Sequence, residues 1–193
     1  MKNFCLRLSG LGALFICIPV IYRISKGDIF NPASFFLWGL LSLVCAVVLI
    51  RAKKGGHILV IGYFFSDLLI ASYAYIKSGK ASFGNFEWLI IILTCICAGL
   101  YAWCEFRGDF KPAVITNATA CMVAGIPQIV DSFRKPYQMS LVICGIYTLI
   151  SVLNYYGEQP NLNGRLLPGL SILYWIVIIG GVIIARSFLP QAV

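Results

Sequence analysis

The sequence predicts an all-α integral membrane protein of seven transmembrane helices, arranged as two parallel three-helix repeats joined by a linker helix. Three observations favour this fold class: the composition, the lengths of the apolar runs and an internal repeat. Of the 193 residues, 60% are hydrophobic and only 11% are charged, and the mean hydropathy is +0.90. Such a chain has too little polar surface to cover a water-soluble domain.

The apolar runs are each close to the roughly 20 residues that a helix needs to cross the hydrocarbon of a bilayer. Short segments separate them and hold nearly all of the Lys, Arg, Asp and Glu. The seven runs lie at 5–23, 32–50, 58–76, 88–105, 113–131, 138–156 and 167–187. The start of the chain, Met1 to Arg7, has two cations, as in a signal peptide, but the apolar run has no small-residue cleavage site, so we expect an uncleaved span. With eight cations on one side and seven on the other, the loops favour neither orientation.

An internal repeat divides the chain. Pro127 has the same setting as Pro19, because each proline lies in an apolar run just before a basic exit. The shift that carries Pro19 onto Pro127 also brings the first three runs onto the last three within two or three residues and leaves the fourth run unpaired. A single linking helix makes the two triplets parallel, with a pseudo-axis along the membrane normal. We therefore expect a first repeat at 1–80, a linker at 81–112 and a second repeat at 113–193.

Several short motifs of the second triplet resemble the PQ-loop motif and the helix end that follows it in the SWEET-like transporter superfamily. They are Pro127-Gln128, Arg134-Lys135, Ser140 and Tyr155-Tyr156-Gly157. The resemblance implies the SWEET-like fold of three, one and three helices. That fold is shared by transporters of sugars and amino acids and, more distantly, by a receptor of retrieval peptides.

The two prolines are candidate hinges. A proline inside a helix removes one backbone hydrogen bond and bends the axis. We expect bends at Pro19 and Pro127 to let the two triplets close alternately on either side of a central site, with Gln128 bonded to the freed backbone groups. The alternative is a pair of static kinks.

Asp67 is the main candidate for substrate binding and proton coupling, because it lies near the middle of the third run. A charged side chain at that depth costs at least about 2.5 kcal/mol and usually faces an aqueous cavity or a partner. The alternative is an acid bonded to a neighbouring helix for packing alone. Trp175, beside Tyr174, occupies the position equivalent to Asp67 in the second repeat. An acid opposite aromatic rings suits an amine or a heteroaromatic ring.

Four other residues are weaker candidates. Three of them lie in different runs and are expected to reach the same cavity: Asn117, Trp38 and Asn154. Asn154 lies near a helix end, where capping or solvation is the alternative explanation. Asp131 comes one helical turn after Pro127. The resemblance implies a gate or proton-coupling site there, and pairing with a cation three or four residues later is the alternative.

Other functional classes find little support in the sequence. The eight cysteines lie almost entirely within the apolar runs, and Cys95 and Cys97 would point to different faces of a helix, so no disulfide framework, cofactor or metal site is predicted. No basic run is longer than two residues, which argues against nucleic acid. The single His57 belongs to no Ser-His-Asp or H-E-x-x-H grouping, so no enzyme and no catalytic residue is predicted.

The sequence thus predicts a multi-pass transporter that moves a small polar metabolite, such as a sugar, an amino acid or a vitamin-like molecule, by alternating access. Coupling to protons through Asp67 is part of the hypothesis. The alternative is a membrane receptor or assembly protein on the same scaffold, which binds without transport. The expected partners are a small-molecule substrate and the lipid bilayer, with self-association into a homo-oligomer left open. Size and the lack of targeting signals favour a bacterial cytoplasmic membrane.

Overall fold

The computed structural model describes residues 2–51, 57–78, 84–158, 160 and 162–188. Their regular structure is entirely helical, which confirms the all-α prediction. The helices are α1 (Lys2–Phe15), α2 (Cys17–Ser25), α3 (Pro32–Arg51), α4 (His57–Ser78), α5 (Asn85–Arg107), α6 (Phe110–Arg134), α7 (Leu141–Gly157) and α8 (Leu162–Phe188). A short 3-10 helix (Pro136–Gln138) lies between α6 and α7.

α1 and α2 are two parts of one segment that is interrupted at Ile16. Pro19 has no N–H to donate to the carbonyl of Phe15, four residues earlier, and α1 ends at that residue. Helical bonds resume on both sides of the break, from the Ile16 amide to Gly12 O at 2.9 Å and from the Val20 amide to Ile16 O at 3.3 Å. The interruption is therefore local, and the segment continues in one direction.

With α1 and α2 taken together, the described ranges contain seven helical segments, the number predicted. Within these ranges, four segments are long and apolar enough to cross a membrane: Lys2–Ser25, Asn85–Arg107, Pro112–Arg134 and Arg165–Phe188. Pro32–Val47 and Leu141–Gly157 are shorter apolar helices. These lengths and compositions are those of a membrane protein.

The helices other than α5 are divided into a first group (α1–α2, α3 and α4) and a second group (α6, α7 and α8). In the first group, α4 contacts both the α1–α2 segment and α3, and in the second group α8 contacts both α6 and α7. The groups meet where α1 contacts α7 and where α3 contacts α6. This arrangement surrounds a central region with α3, α4, α6, α7 and α8.

α5 lies at the periphery, against α6 and α3. It is the helix expected within the predicted linker 81–112, and it ends at Gly108, whose φ of 80° turns the chain towards α6. Large apolar side chains cover its outer face, as on a helix that contacts lipid. Those exposed include Trp88, Leu89, Ile92, Ile96, Leu100 and Trp103.

Candidate binding cavity

A cavity of about 170 Å³ lies between the two helix groups. Its walls are made by α3 and α4 from the first group and by α6, α7 and α8 from the second. Five of the six predicted substrate-binding residues line it: Asp67, Trp175, Tyr174, Trp38 and Asn154.

Asp67 contributes a carboxyl group to the cavity wall. The residue is only 4% exposed, and among the described residues no hydrogen bond or ion pair reaches its side chain. On the α3 side, Gly39 allows close packing, since a Cβ placed on Gly39 would lie 3.6 Å from the Asp67 Cβ. The packing partner that the alternative interpretation requires is therefore not found in the part of the chain that the structure describes, and the carboxyl group of Asp67 is free to meet a ligand.

Four aromatic rings form another part of the cavity wall. Tyr147 and Trp175 stack with centroids 4.5 Å apart and an interplanar angle of 12°. Trp38 meets Tyr174 edge to face at 5.5 Å and lies 6.0 Å from Trp175. Such pairs hold one another in place, so the wall is a preformed surface.

Two of these rings are anchored to the backbone of α6. The Trp38 indole Nε1 donates to Cys121 O at 2.9 Å, and the Tyr174 hydroxyl donates to Gly125 O at 3.0 Å. The second contact requires a glycine, because a Cβ on Gly125 would lie 2.5 Å from Tyr174 Cε2 and 3.0 Å from Trp38 Cζ2. Gly125 therefore sets the position of both rings.

Two buried polar atoms without a partner belong to residues that line the cavity. The Tyr147 hydroxyl and Asn154 Oδ1 are buried and make no hydrogen bond among the described residues. Ser151 and Ser171 bond to each other at 2.8 Å between their hydroxyl oxygens. Buried polar groups are normally satisfied, so the unpaired atoms indicate a place for a ligand or for water. Asn154 is thus not explained by capping alone.

Asn117 does not line the cavity. Its Oδ1 accepts a bond from Cys45 Sγ at 3.3 Å, so it lies behind a residue of the wall. The prediction for Asn117 was wrong because depth along a helix was used without knowledge of the rotation about its axis. The nearer residue of α6, Cys121, lies one turn further and reaches the cavity.

The Pro-Gln pair lies outside the cavity, at one end of the contact between α3 and α6. Gln128 is fully buried, and its Oε1 accepts the Asn31 backbone N–H at 2.7 Å while its Nε2 lies 3.5 Å from Met139 Sδ. The expectation that this amide would bond to the freed backbone of its own helix is thus corrected. It joins α6 to the connections that precede α3 and α7.

α6 is continuous through Pro127, unlike the segment that contains Pro19. Immediately after the proline, the Gln128 backbone N–H donates to Ser34 Oγ at 3.2 Å. Side chains of α3 and α8 also bond to the Cys121 and Gly125 carbonyls. Partners on neighbouring helices can stabilise a proline-containing helix in this way. The two prolines therefore differ: the first interrupts its helix, and the second does not.

Asp131 bonds to Asn31, whose Nδ2 donates to Asp131 Oδ2 at 2.7 Å. This contact takes the place of the expected pairing with Arg134 or Lys135, because the described residues show no ion pair of Asp131 with either cation. Asn31 also caps α3, since its Oδ1 accepts the amides of Ala33 at 3.0 Å and Ser34 at 3.3 Å.

Sequence reasoning missed Asn31, although a signal for it exists. An asparagine followed by proline is the pattern of a helix N-cap and first turn. Tyr147 was missed as well. It could have been found by applying the internal repeat to Trp38, because Tyr147 lies one position beyond the equivalent of Trp38 in the second repeat. Both residues follow from patterns that are readable in the chain.

The described residues offer no metal site, since they contain no group of three His, Cys, Asp or Glu that could hold an ion. All eight cysteines are free thiols. The side chain of His57 lies outside the described residues.

Comparison of the chain with family models, with curated proteins and with solved structures finds no match.

Proposed function

We propose that the protein is a multi-pass membrane transporter of SWEET-like architecture, which moves a small polar metabolite by alternating access to the cavity between the two helix groups. The observation that supports this proposal best is the pairing of cavity residues by the internal repeat. The shift that carries Pro19 onto Pro127 pairs three cavity residues of α4 with three of α8: Val60 with Pro168, Tyr63 with Ser171 and Asp67 with Trp175. A shift one position longer pairs three cavity residues of α3 with three of α7: Trp38 with Tyr147, Ser42 with Ser151 and Cys45 with Asn154.

Pairing of this kind is expected if the cavity lies on an axis between duplicated halves. The helix contacts support the same interpretation. α4 holds the middle place in one group and α8 in the other, and the contact of α1 with α7 corresponds to that of α6 with α3. In transporters built from repeats, the substrate site lies at the interface between the repeats. The duplicated halves would then move against each other around it.

One end of this interface is held shut. The Ile29 backbone N–H donates to Gln138 O at 2.8 Å, joining the connection before α3 to the connection before α7. Arg186 donates to the carbonyls of Pro136 and Met139 at 2.8–3.1 Å. Together with the Asn31–Gln128 bond, these contacts form a layer that we call the closed end. The cavity lining instead extends to Val60, near the start of α4, and to Leu167 and Pro168 in the first turns of α8.

Alternating access requires the closed end to open while the other end closes. Few bonds join the two groups there. The neutral ones are worth about 1 kcal/mol net each, and a bond to a charged acceptor such as the Asp131 carboxylate is worth about 1.5–3 kcal/mol. Opening requires these groups to exchange their bonds for bonds to water or to other partners. Pro19 and Pro127 are the proposed hinges, and Asp67 is the proposed site of proton coupling. In the first segment, the local break at Ile16 is the place where a bend would form during opening.

Transport by the purified protein in liposomes tests the proposal. A panel of labelled sugars, amino acids and vitamin-like molecules is placed outside, and uptake is compared with that of empty liposomes. We expect at least one solute to accumulate, and Asp67→Asn to reduce its uptake. A protein that binds a solute of the panel but moves none of them would instead be a receptor or assembly protein on the same scaffold.

A further inference from the structure

We propose that the ligand of the cavity is a small organic monocation, with its charge against Asp67 and a hydrogen-bonding group at the end of the cavity marked by Ser151, Ser171 and Asn154. The inference rests on the proposed function only in using the same cavity. It adds the chemical class and the orientation of the ligand, which the transport proposal leaves open.

Charge is the first reason. Among the described residues that line the cavity, Asp67 alone belongs to an acidic or basic residue type, and no Lys, Arg or His is present. A buried carboxylate without a partner is strongly unfavourable. A ligand with one positive charge removes that penalty, whereas an anionic ligand would face the carboxylate without any cation in the wall.

The aromatic wall is the second reason. Trp38 and Trp175 both line the cavity together with Asp67. Tryptophan is the best aromatic partner for a cation. Organic ammonium groups are weakly hydrated, so they lose little hydration on entering such a site. Tyr147 covers one face of Trp175, which leaves the other face of that ring and the Trp38 ring for a ligand. A hard inorganic cation prefers a cage of several oxygen ligands, and no group of acidic, Cys or His side chains among the described residues supplies one.

The spacing of polar groups supplies the orientation. Ser171 precedes Trp175 by one helical turn, which is about 6 Å along α8. Ser171 is bonded to Ser151, and Asn154 Oδ1 lies one turn beyond Ser151 on α7 without a partner among the described residues. A ligand with a hydroxyl or an amide N–H at the end away from its charge would bring a polar group to these residues. The volume of about 170 Å³ limits the ligand to a compact molecule.

Matched probes test the inference on the wild-type protein. Choline and 4-aminobutan-1-ol are cations with a hydroxyl group, and 3,3-dimethylbutan-1-ol and pentan-1-ol are their neutral counterparts of the same shape. Binding to the full-length protein in detergent is measured by calorimetry and by the shift of the unfolding midpoint. We expect at least one cation to bind on the order of tenfold or more tightly than its neutral counterpart. Sodium chloride at the same concentration should cause no comparable shift.

Two variants locate the effect. Asp67→Asn keeps the size of the side chain and removes the charge, so the preference for the cation over its neutral counterpart should disappear. Asp109→Asn makes the same chemical change at an exposed position outside the cavity and should leave the preference intact. Equal binding of cations and neutral counterparts by the wild-type protein, or a sodium effect as large as that of the amines, would overturn the inference.

The two proposals fail differently. A neutral or anionic solute that is transported in liposomes, with no cation bound, contradicts the monocation and leaves the transporter in place. A cation that binds through Asp67 but is not moved across the liposome membrane contradicts the transporter and leaves the cation site in place. If Asp67→Asn does not fold, the probe pairs on the wild-type protein still decide the question.

Discussion

Replacing Gly125 by alanine should move the aromatic wall of the cavity. The new Cβ would lie 2.5 Å from Tyr174 Cε2, 2.9 Å from Tyr174 Cζ and 3.0 Å from Trp38 Cζ2. These distances are well below ordinary contact, and the Tyr174 ring cannot retreat without losing its 3.0 Å bond to Gly125 O. The structure therefore predicts that this small substitution disturbs two rings at once.

The expected change in the free energy of unfolding combines two destabilising effects and one stabilising effect. Overpacking of a close contact costs about 1–3 kcal/mol, and loss of the Tyr174 hydroxyl bond adds about 1 kcal/mol. The higher helix propensity of alanine offsets about 1 kcal/mol. We expect Gly125→Ala to lower the free energy of unfolding by about 1–3 kcal/mol.

Gly145→Ala is the matched control, because Gly145 lies within α7 with no atom within 4 Å of the position of a Cβ. Alanine there should be neutral or should stabilise by up to about 1 kcal/mol. Both variants are unfolded in the same detergent and denaturant series. A double-mutant cycle with Tyr174→Leu should give a coupling of at least about 0.5 kcal/mol. Equal stabilities for the two alanine variants, or no coupling to Tyr174, would refute the reasoning.

Three further predictions concern the closed end, a buried hydroxyl and the thiols. Asn31→Ala should lower the free energy of unfolding by about 2 kcal/mol. Asn31→Ser should recover about half of that loss, because serine also caps α3. Equal losses for the two variants in denaturation experiments would exclude the capping role. Thr94→Val should raise the free energy of unfolding by about 1 kcal/mol, since Thr94 Oγ1 is buried without a partner among the described residues. The control Thr119→Val removes an exposed hydroxyl that is bonded to its own helix, and it should give no such gain. Maleimide should modify Cys5, in the first turn of α1, faster than the buried Cys144 in the folded protein, as read by peptide mass spectrometry, and a reductant should leave the unfolding midpoint unchanged.

The helical segments could be predicted because the bilayer sets their length. Apolar runs of about 20 residues separated by charged connections identify helices without any knowledge of tertiary contacts. The break at Ile16 follows equally from a local rule, since Pro19 lacks the amide that the Phe15 carbonyl would need. The continuity of α6 through Pro127 does not follow from the same local rule, and the contacts near it, such as the bond from the Gln128 amide to Ser34 Oγ, come from another helix.

Part of the cavity could also be predicted, because the internal repeat relates positions in the two halves of the chain. The repeat places Asp67 and Trp175 at equivalent depths, and both residues line the same cavity. Rotation about a helix axis is set by side-chain packing, which a single sequence does not specify, and Asn117 was misplaced on that account. The role of Asn31 depends on contacts between parts of the chain that are far apart in sequence, from α6 to the start of α3.

Access to the cavity from both sides of the membrane tests the transport proposal most directly. Cys45 and Cys121 line the cavity of the unmodified chain, so a small membrane-impermeant thiosulfonate can report on access without any substitution. Right-side-out and inverted vesicles are treated separately, and peptide mass spectrometry identifies the modified cysteines. Alternating access predicts that at least one of the two thiols is modified in both kinds of vesicle. Modification in only one kind would contradict transport and would identify the cavity as a one-sided binding site.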